Sequence, residues 1–145
     1  MRFRLLLLVM ASSVALVVSA SSAGSLSIND KIYNALKMQP CSLLLDADVK
    51  IDSIGKICVI GKCYEVVFYT WKNKTHQAMR LLVLVHEQGN LTYLGGYRVT
   101  QRPVSIIGEK IVFAFPKDVG NQIRFDAAGP PQTLLLDGEN IDLFK

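Results

Sequence analysis

The side chains that could do chemistry in this 145-residue chain are few, and they are scattered. The two histidines, His76 and His86, stand ten residues apart with no H-x3-H or C-x2-C spacing beside them. Local sequence therefore supplies no tetrahedral zinc set, and neither metal nor cofactor is expected. Asp46, Asp48 and Asp52 imitate the start of a calcium loop. Lys50 stands where that loop needs an oxygen ligand, Ile51 where it needs glycine, and Ile57 where it needs glutamate. There is no G-x-S-x-G elbow for a serine hydrolase and no glycine-rich phosphate loop. Glu65, Glu87 and Glu109 are isolated acids, and nothing pairs two of them across a glycosidic bond. Cys41 with either histidine is the one nucleophile pair that spacing does not forbid, because such pairs assemble in three dimensions. The expectation is a protein that is not an enzyme.

The cysteines are better read as structural. Cys41, Cys58 and Cys63 make an odd count, which in an oxidising compartment means one disulfide and one remaining thiol, or an intermolecular bridge. Cys58 and Cys63 face each other if Ile60-Gly61 forms the turn between them. They fall out of register if Gly61-Lys62 does. A bridge from Cys41 to one of them is the alternative. The C-x4-C spacing is not the C-x-x-C of oxidoreductases.

Recognition has more to offer than catalysis. Trp71, Lys72, Asn73, Lys74 and His76 combine an aromatic anchor, two cations and hydrogen-bonding groups in a polar loop running to Met79, the composition of a binding loop on a rigid scaffold. Tyr93 and Tyr97 flank Gly95-Gly96, and interior glycines in a strand mean a bulge, a bend or a close approach. A bend would place Tyr93, Tyr97, Leu82 and Leu84 on one concave face, where a small hydrophobic ligand could sit. Asn73-Lys74-Thr75 and Asn90-Leu91-Thr92 also match the glycosylation acceptor pattern.

Several elements must position these groups. Arg2 and Arg4, the apolar stretch from Leu5 to Val18 and the small residues Ser19 to Ala23 read as a secretory signal peptide, residues 1–23, cleaved after Ala20 or Ala23. Once it is removed, no transmembrane segment is expected, and the chain is placed outside the cytoplasm, secreted or periplasmic. The whole chain carries 16 basic and 12 acidic side chains; without Arg2 and Arg4 the balance is 14 to 12. A charge so near neutral gives no reason to expect a nucleic-acid partner. Residues 24–145 read as one domain, large enough to bury a core.

Leu26 to Gln39 predicts a helix, with Ile28, Ile32, Ala35 and Leu36 on one face, Ser27 and Asp30 approximating a capping box, and Pro40 as the stop. From Leu43 onward the period changes to two. The segment Cys63 to Trp71 is apolar on both faces and should be covered on both sides. Leu81 to Glu87 and Leu91 to Val99 flank Gly89-Asn90, which predicts a central hairpin pairing His86 with Tyr93 and Val85 with Leu94. Asp137-Gly138 predicts a last hairpin. The fold class is α+β, mainly β: a curled antiparallel meander of about seven to nine short strands with one N-terminal helix packed on it. A small closed barrel is the alternative. The functional expectation is a non-catalytic binding module, of inhibitor or envelope-accessory type, recognising another protein through surface loops. A carrier of a small hydrophobic ligand, and a small hydrolase or redox enzyme without a recognisable motif, are the other two readings.

Overall fold

The computed structural model describes residues 26–38, 45, 46 and 48–145. The leader with its cleavage points at Ala20 and Ala23, the stop at Pro40, and Cys41 lie outside these residues.

Helix α1, Ile28–Lys37, starts where the capping pattern predicts. The Ser27 hydroxyl accepts from the Asp30 backbone N–H at 3.2 Å and donates to the Asp30 carboxylate at 2.7 Å. This satisfies one of the donors that every helix start leaves without a partner. Its apolar stripe buries Ile32, Ala35 and Leu36. That stripe has one surface to cover, the meander that follows.

The meander consists of β1 Val49–Val59, β2 Lys62–Lys72, β3 Gln77–Glu87 and β4 Asn90–Arg98, hydrogen-bonded in the order β1-β2-β3-β4 and antiparallel throughout. Beyond it, β5 Ser105–Ile107, β6 Lys110–Val112 and β7 Gln122–Arg124 form a three-stranded sheet, and β8 Thr133–Leu136 pairs with β9 Glu139–Asp142. The nine strands among the described residues form open antiparallel sheets, and no barrel closes among them. The mainly-β meander with a packed helix is the fold. Its four principal strands, at 9–11 residues, are longer than the short strands expected.

The meander is a middle layer, which explains why β2 is apolar on both faces. One face carries Val67, Tyr69, Leu82, Leu84 and Tyr93 against the helix residues Ile32 and Leu36. The other carries Tyr64, Val66, Leu81, Val83 and Tyr97 against Ile111, Phe113, Ile123, Phe125 and Leu136 of the small sheets and their loops. Burying each such aliphatic side chain stabilises the fold by about 1.5–3 kcal/mol.

Three turns set the register. Ile60 and Gly61 adopt φ +46° and +74°, the twisted two-residue turn that antiparallel ribbons favour, and this places Cys58 opposite Cys63. The two are joined by a disulfide. Asp137-Gly138 turns as expected, with Leu136 opposite Glu139. The central hairpin turns one residue earlier than expected, at Gln88-Gly89, so His86 pairs with Leu91, and Tyr93 with Leu84. Moving the turn back by one residue moves each partner by two and preserves the facing. The apolar pattern therefore could not distinguish the two registers.

Both edge strands of the meander then break register by one residue. In β1 the pairing passes from Ser53↔Val67 to Gly55↔Val66, leaving Ile54 as a bulge. In β4 it passes from Leu84↔Tyr93 to Val83↔Gly95, leaving Leu94 as a bulge. An extra residue reverses which side chains face which layer. Tyr93 thus packs under the helix while Tyr97 packs toward the small sheets, so the two tyrosines do not share a concave face. Gly95-Gly96 does lie at a bulge, and it also admits a neighbour. Phe144 bridges to Gly96, with Gly96 N–H donating to the Phe144 carbonyl at 2.8 Å and Phe144 N–H donating back at 3.0 Å.

Candidate functional site

The polar loop between β2 and β3 is shorter than the sequence predicts. Lys72 pairs with Gln77, so the connection is only Asn73, Lys74, Thr75 and His76. Asn73 organises it. Its side-chain oxygen accepts from the backbone N–H groups of Thr75 at 2.9 Å and His76 at 2.6 Å, while its own N–H donates to the His76 carbonyl at 2.9 Å. Thr75 Oγ1 lies 2.7 Å from His76 Nδ1. An asparagine side chain that bonds two residues onward mimics a backbone turn, and here it fixes the loop at little cost in ordering when a partner arrives. Lys72, Asn73, Lys74, Thr75 and His76 are all exposed.

Trp71 stands at the loop's root, half-buried on the helix-covered face of the sheet. Its indole N–H is buried and has no hydrogen-bond partner among the described residues. Arg80 lies on the same face, directly across from Tyr69 on β2 and from Arg98 on β4. The Arg80 guanidinium sits 5.6 Å from the Phe144 ring centroid, and its Nη1 donates to the Met79 carbonyl at 2.9 Å. Burial, and then repulsion from Arg98, lower the Arg80 pKa. Arg98, the more exposed of the two, lines a cleft of about 410 Å³ with Thr100, Asn140, Phe144 and the acids Glu139 and Asp142. The stretch Trp71 to Arg80 contains no carboxylate. The β2–β3 connection and the start of β3 therefore present cations and N–H donors beside aromatic rings, with Glu139 and Asp142 on the far side of the cleft.

Of the residues the sequence singles out, Trp71, Lys72, Asn73, Lys74 and His76 come together here. Tyr93 and Tyr97 do not join them as an exposed surface. Tyr93 is buried in the helix-side core, and Tyr97 is completely buried, its hydroxyl donating to the Pro131 carbonyl at 2.5 Å. Cys58 and Cys63 lie at the opposite end of β1 and β2, where their disulfide ties the hairpin.

Sequence reasoning missed a second polar cluster. Glu65, only 6% exposed, shares the helix-side face of β2 with Val67 and Tyr69. Its Oε1 accepts from the Ser53 hydroxyl, and its Oε2 lies 2.8 Å from His86 Nε2. Residues 12 and 21 positions away are thus brought to one carboxylate by the β1–β2 and β2–β3 pairings. The carboxylate stands between hydroxyl and imidazole. Nucleophilic catalysis needs the imidazole on the hydroxyl itself, with the acid behind it, so this order satisfies a buried acid rather than activating a serine. An alternation of apolar residues interrupted by Glu65 was the only signal for it in the sequence. On the opposite layer's side, Arg102 pairs with Asp52 at 2.5 Å and lies over Phe68 at 5.5 Å, a half-exposed contact that ties the loop before β5 to β1.

Among the described residues no group of histidine, cysteine and acidic side chains is placed to hold a metal ion. No helix among them is long and apolar enough to cross a membrane. Comparison with protein-family models, with curated proteins and with solved structures gives no match for this chain.

Proposed function

We propose that this chain is a non-catalytic binding module, secreted or periplasmic, which recognises another protein through the β2–β3 loop and the sheet end beneath it. The observation that supports this reading most directly is the loop locked by Asn73. It is exposed, basic and ordered by its own hydrogen bonds, so binding need not pay for arranging it. Trp71 at its root supplies the kind of aromatic anchor that concentrates binding energy. The Cys58–Cys63 disulfide fits an oxidising compartment.

The test is affinity capture from the native compartment with the leaderless chain, run beside Lys72→Ala/Lys74→Ala. A partner that is retained by the parent and reduced about tenfold by the variant is expected, since two charge-assisted contacts contribute on that scale. A partner retained equally by both, with equal melting temperatures, sinks the loop reading.

The carrier reading keeps one observation of its own. A cleft of about 330 Å³ runs between α1 and the start of β4, lined by Leu26, Ala35, Met38 and Leu91 but also by Lys31 and Asn90. Saturable binding of a fluorescent fatty acid, lost in Asn34→Trp at an exposed lining residue, would favour it.

A further inference from the structure

We propose that Arg80 and Arg98 form a binding site for one compact oxyanion, a carboxylate or a phosphate presented by the partner. The proposal rests on the reading of this sheet end as the recognition surface, and it names the chemistry that the surface takes.

Two arginines directly opposite each other in an antiparallel pair repel, and such a like-charged pair costs stability unless something answers it. Among the described residues no carboxylate forms an ion pair with either guanidinium. Arg80 is also held in place. One nitrogen is tied to the Met79 carbonyl, and the group rests against the Phe144 ring. The Phe144 backbone is itself fixed by its bridge to Gly96. The remaining guanidinium N–H groups form a planar fork, the geometry that matches two oxygens of one carboxylate or phosphate. On the same face, the Trp71 indole N–H is buried and has no acceptor among the described residues. Glu139 and Asp142 share the cleft that Arg98 lines, so the site suits a single anionic group and disfavours a polyanion.

The experiment is nuclear magnetic resonance titration of the arginine Nε–H groups in the leaderless chain, at constant ionic strength. The probes are inorganic phosphate, N-acetyl-glutamate amide and, as the neutral control, N-acetyl-glutamine amide. Saturable shifts at Arg80 and Arg98 with phosphate or the glutamate probe, and none with the glutamine probe, are expected. Saturation by phosphate alone identifies a free or esterified phosphate as the source; saturation by the glutamate probe identifies an acidic side chain. Arg98→Gln, at an exposed position, should weaken binding about tenfold without lowering the melting temperature. Arg80→Lys should weaken it too, because an ammonium cannot replace the fork. Shifts that grow linearly without saturating, or that survive Arg98→Gln unchanged, overturn the site. The capture experiment with Lys72→Ala/Lys74→Ala tests the loop by a separate readout, so failure of the loop reading and failure of this one are distinguishable.

Discussion

Replacing Gly95 by alanine should cost the fold about 3 kcal/mol, and about half of that cost should vanish if the last three residues are removed. A Cβ at Gly95 would lie 2.7 Å from the Phe144 carbonyl oxygen and 3.0 Å from two atoms of the Leu143 side chain. The oxygen is backbone and already hydrogen-bonded to Gly96, so it cannot swing aside as a side chain could. Overpacking of this kind costs about 1–3 kcal/mol. Gly95 also holds φ +157°, where a side chain adds roughly 1–3 kcal/mol of backbone strain. With about 4 °C lost per kcal/mol in a domain of this size, the melting temperature should fall by roughly 12 °C. In a chain ending at Asp142 the obstructing atoms are gone and only the backbone part remains. The two changes should therefore be non-additive by about 1–2 kcal/mol. Thermal denaturation by circular dichroism measures the four chains of the cycle. Hydrogen exchange at the Gly96 and Phe144 amides reports the bridge itself and should accelerate in Gly95→Ala. An unchanged melting temperature, or the same loss in both backgrounds, would refute the account of Gly95 as the place where the C-terminal segment approaches the sheet.

The other predictions are simpler. Burial raises the Tyr97 pKa above its unfolded value of 10.0, so Tyr97 contributes stability that is fully present below about pH 10 and is lost as the pH rises beyond it. Tyr97→Phe should flatten that alkaline loss in a urea-denaturation series. At neutral pH it should cost about 1–2 kcal/mol, because the Pro131 carbonyl loses its donor. His86→Leu should cost about 2–3 kcal/mol by leaving a buried Glu65 oxygen without its partner, whereas Glu65→Leu/His86→Leu should lie nearer the parent. A single variant no worse than the double would contradict this. Titration of the unfolded, unreduced chain should find one thiol, that of Cys41. Replacing Cys58 and Cys63 by serine should lower stability by about 2 kcal/mol, the loop-closure value for so short a separation.

What could be read in the chain was whatever depends on neighbours in sequence. Ser27 and Asp30 mark the helix start because a cap is made within one turn. Ile60-Gly61 and Asp137-Gly138 mark hairpins because two residues carry the whole turn, and the first of them also aligns Cys58 with Cys63. The two-sided apolar character of Cys63 to Trp71 announces a strand covered by two layers, since no other environment would tolerate it. Among the binding-site candidates, Trp71 to His76 was legible for the same reason: a polar, basic loop is defined by its own composition.

The rest depends on pairings that sequence leaves degenerate. Turning at Gln88-Gly89 rather than Gly89-Asn90 keeps every residue on its face, so hydrophobic alternation cannot choose between them. The bulges at Ile54 and Leu94 add one residue where the apolar pattern tolerates it, and only the packed layers show that Tyr97 has crossed to the face opposite Tyr93. Glu65 looked isolated because Ser53 and His86 reach it from neighbouring strands. Arg80 meets Arg98 only through register, and Phe144 reaches Gly96 across 47 residues of intervening chain. Those contacts are separated by loops whose closure cost is nearly independent of what they bring together, so composition carries no trace of them. The cationic end of the sheet is thus half a sequence feature, the loop, and half a product of the tertiary fold, the arginine pair beneath it.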